Sequence, residues 1–127
     1  MSVDIGIIGL PQSGKTTIFN GLTRGKIDTG SHGAKGLAPH IGIARIPEPR
    51  LQTLANMLKP KRIVPAEIRY VDVGASVKDL VKDEAISGQL LNQLSQVDAF
   101  IDVVRAFTDE KIPHIAGSLD LARDITP

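Results

Sequence analysis

A chain of 127 residues with 15 basic against 14 acidic side chains is one domain's length, long enough to bury a real core. The near balance of charge gives no compositional case for nucleic acid or a membrane surface as the main partner, and the lack of cysteine excludes a disulfide framework and any thiolate metal site. No apolar run reaches membrane-spanning length and Asp4 interrupts the first one, so neither a spanning helix nor a signal peptide is expected, and the cytoplasm is the default location.

Val3, Ile5, Ile7 and Ile8 are β-formers in a short run that predicts a buried first strand. Directly after it, Gly9-Leu10-Pro11-Gln12-Ser13-Gly14-Lys15-Thr16-Thr17 fits G-x-x-x-x-G-K-S/T. Glycines let successive backbone N–H groups turn onto phosphate oxygens, the lysine reaches the β/γ oxygens, and the hydroxyl after it ligates Mg²⁺. Ile18, Phe19 and Leu22 then recur at helical spacing, so a helix points its positive N-terminal end at the same anion. A Gly-rich turn with an exposed lysine is the bland alternative, and the strand–loop–helix context disfavours it. Candidate nucleotide contacts are therefore Gly9, Pro11, Gln12, Ser13, Gly14, Lys15, Thr16 and Thr17, with Lys15 the candidate catalytic cation.

Gly25 to Leu37 is Gly-rich without apolar period, which predicts a mobile, switch-like loop over about residues 25–39. Ile41, Ile43 and Ile46 read as a second strand stopped by Pro47-Glu48-Pro49. Leu51, Leu54 and Leu58 share a face of a short helix ended by Lys59-Pro60. Glu67 to Val73 predicts a third strand with Asp72 near its carboxyl end, where open α/β sheets bind ligands. After a polar stretch, Ile86, Leu90 and Leu94 mark a helix, Ala99 to Arg105 a fourth strand, and the rest a loop with a short helical entry. Alternating strands and helices imply an α/β domain with a mostly parallel sheet covered on both faces.

Asp72 takes the place of the acid that holds Mg²⁺ opposite a phosphate loop, so Thr16 and Asp72 are the candidate metal ligands; a strand-ending Asp that caps a turn is the alternative. His32, His40 and His114 show no mutual metal spacing and no carboxylate partner arrangement, which assigns them structural or solvated roles. Lys59, Lys61 and Arg62 form a small basic turn, read first as a solvated helix end and only second as an RNA contact. Arg24, Lys26 and Lys35 are candidates for a cation that approaches the phosphates from the loop, against simple loop solubility. Asp102 interrupts the fourth strand and should face an edge or a partner.

Blocks running almost end to end carry a family resemblance. They are Ile8-Gly9-Leu10-Pro11, Pro47-Glu48-Pro49-Arg50-Leu51, Lys59-Pro60-Lys61-Arg62-Ile63-Val64-Pro65-Ala66, Tyr70-Val71-Asp72-Val73, and His114-Ile115-Ala116-Gly117-Ser118-Leu119-Asp120 with Arg123-Asp124-Ile125. In these the chain resembles the Obg-like ATPase (YchF) branch of the translation-factor-related P-loop GTPases. The resemblance implies a Ras-like G domain, GTP or ATP on Gly9 to Thr17 with Mg²⁺, and association with ribosomes. It also implies that residues 1–127 are the N-terminal part of that domain, without the base-reading strand, the coiled coil and the C-terminal small domain. The uncovered sheet edge would then favour self-association.

Several positions depart from the family's pattern. Gln12-Ser13 replaces Asn-Val, and Thr16 replaces Ser while keeping the hydroxyl. The Asp-x-x-Gly motif has Ala75 in place of its glycine. Ser76 stands where the family has an apolar residue and other GTPases a water-positioning Gln. Gly36 aligns with the family's Mg²⁺-ligating Thr, and Thr29, the candidate substitute, lies well before Pro39. Two readings follow: a slow nucleoside triphosphatase acting as a switch, and a nucleotide-binding interaction module with little or no turnover. A P-loop kinase is disfavoured, since no Arg-rich lid follows the fourth strand.

Overall fold

Strand β1 (Ser2–Gly9) realises the first apolar run and lies inside the sheet. The computed structural model describes residues 2–25, 39–73 and 88–125. Over these the chain continues through helix α1 (Lys15–Thr23), strand β2 (His40–Arg45), helix α2 (Pro49–Leu58), strand β3 (Glu67–Asp72), helix α3 (Gly88–Ser95), strand β4 (Ala99–Val103) and the short helix α4 (Leu121–Ile125). The strand order is β2-β3-β1-β4. β1 runs parallel to β3 and β4, with Ile7 opposite Asp72 and Gly9 opposite Val103, whereas β2 runs antiparallel to β3. The expected mostly parallel sheet forms, with one antiparallel edge strand.

Period-two alternation sends the two faces of the sheet to different helices. On one face Ile7, Tyr70 and Val103 meet Phe19 of α1, with Ile5, Ala44, Ile68 and Ile101 packed around them. On the other, Val71 and Val73 meet Leu94 of α3 and Val97. Phe19 is the largest apolar side chain that α1 contributes, and its truncation to Ala costs about 3–5 kcal/mol on the scale of buried aromatics.

The second strand and second helix differ from the simplest reading of their apolar residues. Ile41 and Ile43 are exposed, and it is His40, Gly42 and Ala44 that face inward. A Cβ on Gly42 would lie 2.6 Å from Thr23 Cγ2 and 2.9 Å from Phe19 Cζ, so close approach of α1 selects glycine there. Helix α2 starts sharply, because Pro49 opens it and the Glu48 carboxylate accepts from the Arg50 N–H at 3.0 Å. Its apolar residues Leu54 and Leu58 nevertheless remain exposed.

Three strand ends shift. β2 stops at Arg45 before Ile46, β3 at Asp72 before Val73, and β4 at Val103 before Arg105. Arg105 instead turns its guanidinium over the Phe107 ring at 4.5 Å and donates to the carbonyls of Phe107 and Ile112, which shapes the chain after the strand. Asp102 is exposed on edge strand β4, as its charge requires. The loop reading over residues 26–38 and the helix start at Ile86 lie outside the described residues.

Candidate functional site

Gly9 ends β1 at φ 148, and a Cβ there would sit 2.4 Å from the Val103 carbonyl oxygen. The first glycine of the motif is therefore fixed by β4 passing behind it. Gln12 (φ 61) and Gly14 (φ 104) both hold left-handed backbone, which folds residues 10–14 into a tight loop before Lys15 opens α1. The Ser13 N–H donates to Leu10 O at 3.2 Å and the Ser13 side chain is buried, while Gln12 and Thr17 are exposed.

Lys15 folds back over this loop, its Nζ donating to Gly9 O and Leu10 O at 3.0 Å each. Burial pulls its ammonium below the ordinary lysine range, and the Asp72 and Asp102 carboxylates oppose part of that shift. A desolvated cation whose hydrogen bonds among the described residues go to carbonyl oxygens gains from an arriving anion.

Thr16 and Asp72 meet beside it. The Thr16 hydroxyl donates to Asp72 Oδ2 at 3.2 Å, and His40 Nδ1 stands 3.6 Å from the same oxygen. Asp72 is only 2% exposed, and its other oxygen, Oδ1, is buried without a hydrogen-bond partner among the described residues. A buried carboxylate oxygen left unpaired is costly, and a hard divalent cation is the group that would satisfy it. The donor set of one hydroxyl and one carboxylate fits such an ion, with water and phosphate oxygens completing its shell.

Sequence and fold comparisons agree on what surrounds this geometry. No family model matches the sequence. The "Ribosome-binding ATPase YchF" of Bacillus subtilis (strain 168) is 37% identical over 125 residues, 98% of this chain and 34% of that protein. That of Mycoplasma genitalium is 33% identical over 115 residues, 91% of this chain and 31% of that protein. The structure of the Schizosaccharomyces pombe YchF GTPase superposes with a TM-score of 0.60 at 30% identity, covering 96% of this chain and 32% of that one. The chain belongs to the YchF family.

Its described residues have the P-loop NTPase α/β fold of that family, and the chain spans about a third of the length of the curated YchF relatives it matches. Of the departures from the YchF pattern, Gln12-Ser13 and Thr16 lie within the ordered loop described above, whereas Thr29, Gly36, Ala75 and Ser76 lie outside the described residues. Among the loop cations, Lys26 and Lys35 also lie outside them. Arg24 caps the far end of α1 from Gly14, roughly 15 Å along the helix at 1.5 Å per residue, so it does not approach the phosphate loop.

The structure corrects one part of the histidine reading, the lack of a carboxylate partner, and gives His114 a structural role; His32 lies outside the described residues. His114, far from isolated, holds Asp124 Oδ2 through Nε2 at 2.9 Å, with both side chains buried. Its Nδ1 accepts from the Ala116 N–H at 3.1 Å, so the neutral ring carries its proton on Nε2 and donates it to Asp124. Burial acts to raise the Asp124 carboxyl, but Arg123 and His114 together hold it below its ordinary value. His40 likewise stands beside a carboxylate, that of Asp72. Sequence reasoning missed His114–Asp124 because ten residues separate them and the turn at Gly117 (φ 79) brings them together. The available signal was the Gly-Ser-x-Asp block between them. This buried knot and Arg105 line one side of a small cleft whose other side is Leu10, Pro11 and Ser13, so the chain after β4 supports the phosphate loop from behind.

Proposed function

We propose that the chain binds ATP or GTP with Mg²⁺ on Gly9 to Thr17 and, in the intact protein, hydrolyses the γ-phosphate slowly as a molecular switch. The observation that carries this reading is the convergence of Lys15, Thr16 and Asp72 at the carboxyl end of β1 and β3, with Asp72 Oδ1 buried and unpartnered among the described residues. Lys15 would leave the Gly9 and Leu10 carbonyls for phosphate oxygens and stabilise charge on the transferring group. Gly9, Pro11, Gln12, Ser13, Gly14 and Thr17 would shape the loop around the phosphates. Thr16 and Asp72 would hold Mg²⁺, which supplies neutralisation of phosphate charge when bound.

The names of the relatives, ribosome-binding ATPase and GTPase, support a nucleotide switch that works on the ribosome in the cytoplasm. They also leave the base open between adenine and guanine. A binding module with little turnover is the second reading, and the Gly74-Ala75-Ser76 sequence favours it, since Ala75 has less backbone freedom than the usual glycine and Ser76 is too short to position water as Gln does. Parallel titration of ATP and GTP with Mg²⁺, followed by thermal stability and phosphate release, separates the two. Steady release abolished by Lys15→Ala supports the switch. Binding without release supports the module, and absence of binding to either nucleotide refutes both.

A further inference from the structure

Three elements bring one donor each to the carboxyl end of β3. Thr16 comes from the first turn of α1, Asp72 from the last position of β3, and His40 from the first position of β2, where antiparallel pairing sets it opposite Asp72. Residues directly opposite in such a pair share a face of the sheet, so strand register alone brings the imidazole to the carboxylate. The ring also leans on Phe19 of α1, with centroids 6.4 Å apart and planes tilted by 47°. Phe19 is buried, so His40 rests against the core.

The His40 side chain is half-exposed, yet its Nδ1 is buried and has no hydrogen-bond partner among the described residues. It stands 3.6 Å from Asp72 Oδ2, beyond hydrogen-bond length. Asp72 Oδ1 is buried and unpartnered in the same way. Two polar atoms cut off from water side by side are costly, and a cation shared by the two residues offsets both.

The spacing of the donors fits an ion. Thr16 Oγ1 lies 3.2 Å and His40 Nδ1 3.6 Å from Asp72 Oδ2, and neighbouring ligands held about 2.1 Å from a divalent ion are roughly 3 Å apart. Metal–donor bonds are also shorter than hydrogen bonds, so atoms closed to water can still converge on an ion. Lys15 does not compete as a ligand, because its ammonium has no lone pair to give and donates to Gly9 O and Leu10 O.

We propose that His40 Nδ1 is a third ligand of the Thr16–Asp72 metal site, which suits that site to a divalent first-row transition ion, Mn²⁺ ahead of Mg²⁺. Mg²⁺ takes oxygen donors, whereas imidazole nitrogen suits transition ions. Water and phosphate oxygens complete the shell, since among the described residues no further His, Asp or Glu joins the group. The proposal rests on the nucleotide-binding reading above for the metal's place beside the phosphates.

The test uses the whole chain labelled with ¹⁵N-histidine, Mn²⁺, and non-hydrolysable analogues of ATP and GTP. Loss of the free Mn²⁺ signal in electron paramagnetic resonance gives Mn²⁺ affinity, competition with Mg²⁺ gives the preference between the ions, and the pulsed experiment reads ¹⁵N coupling to the bound metal. Mn²⁺ binds about tenfold or more tightly than Mg²⁺ and its spectrum carries histidine ¹⁵N coupling. His40→Asn removes that coupling and lowers the Mn²⁺ preference by about tenfold. A thermal melt verifies that this variant folds, and His40→Gln is the second variant. Bound Mn²⁺ without ¹⁵N coupling in the parent overturns the proposal, as does coupling or an ion preference that both variants retain. If the nucleotide binds with Mn²⁺ but no histidine nitrogen couples, the nucleotide reading stands and the His40 ligand falls. If Mn²⁺ binds with ¹⁵N coupling and neither nucleotide binds, the nucleotide reading fails and the His40 site stands. Absence of Mn²⁺ binding with and without nucleotide overturns the site altogether.

Discussion

The Thr16 hydroxyl donates to Asp72 Oδ2 across 3.2 Å, tying the first turn of α1 to the end of β3 over 56 positions of sequence. β1 lies between those elements, and its register with β3 places Ile7 opposite Asp72. The carboxylate therefore reaches the phosphate loop by sheet pairing, and its remaining oxygen is buried with nothing to accept from among the described residues.

Replacing that carboxylate with its neutral isostere removes the ligand charge but keeps the volume. Asp72→Asn weakens Mg²⁺-dependent nucleotide affinity tenfold or more, about 1.4 kcal/mol per factor of ten, and leaves metal-free nucleotide affinity unchanged or improved. Titration of fluorescent ATP and GTP analogues with and without Mg²⁺ reads this directly. An Mg²⁺ dependence equal to the parent's would remove Asp72 from the metal site.

Gly9 is the position where the loop tolerates least. A methyl group at 2.4 Å from the Val103 carbonyl oxygen must push backbone against backbone, and φ 148 is unfavourable for alanine as well. Gly9→Ala lowers stability by about 1–3 kcal/mol or more and releases Lys15, whose holding carbonyls are Gly9 O and Leu10 O. Gly14→Ala costs less, because nothing lies within 4 Å of its Cβ position. Thermal melts of the two variants rank them, and equal melting temperatures would contradict the packing argument.

His114→Ala leaves the buried Asp124 without its ring partner, keeping only Arg123. The melting temperature drops by several degrees, and hydrogen exchange rises first in residues 112–125, since that segment is held by this knot and not by strand pairing. Exchange that rises uniformly across β1 and β3 instead would show the knot to be part of the global core.

Acid acts through the paired carboxylates. Arg69 hydrogen-bonds Asp4 and holds its carboxyl below the ordinary value of 3.8, against the raising effect of burial. A depressed native value means that the unfolded chain binds the proton more readily, so the stabilisation is present above 3.8 and is lost as pH falls through the native value. The stability difference between the parent and Asp4→Asn shrinks as pH is lowered from 5 to 2, roughly the span of carboxylate titration, in urea melts. A difference constant over that range excludes the pair as its source.

β4 closes one side of the strand order and has β1 as its strand partner among the described residues. Among the described residues no strand pairs with its outer edge, beside a half-exposed Phe100. We propose that the chain self-associates at high concentration through this edge, and sedimentation velocity over a hundredfold range of concentration tests it. A single monomeric species throughout rules the pairing out.

Much of this was legible in the residue order. The phosphate loop, the helix after it and the strand position of Asp72 are local patterns, and local patterns survive folding when they agree with the sheet around them. β2 was legible as a strand but not as a surface: its isoleucines point outward because Phe19 and Thr23 occupy the inner side and admit only Gly42. The strand ends shifted by one or two residues, since pairing partners and not propensity set where a ladder stops.

The sequence by itself determined the phosphate-binding segment, the alternation of strands and helices, and membership of the YchF family, because each of these is written in residue types at short spacing. Only the tertiary structure decided that Thr16 meets Asp72 and that His114 holds Asp124. Those meetings depend on strand register and on a left-handed turn at Gly117, neither of which is fixed by neighbours along the chain.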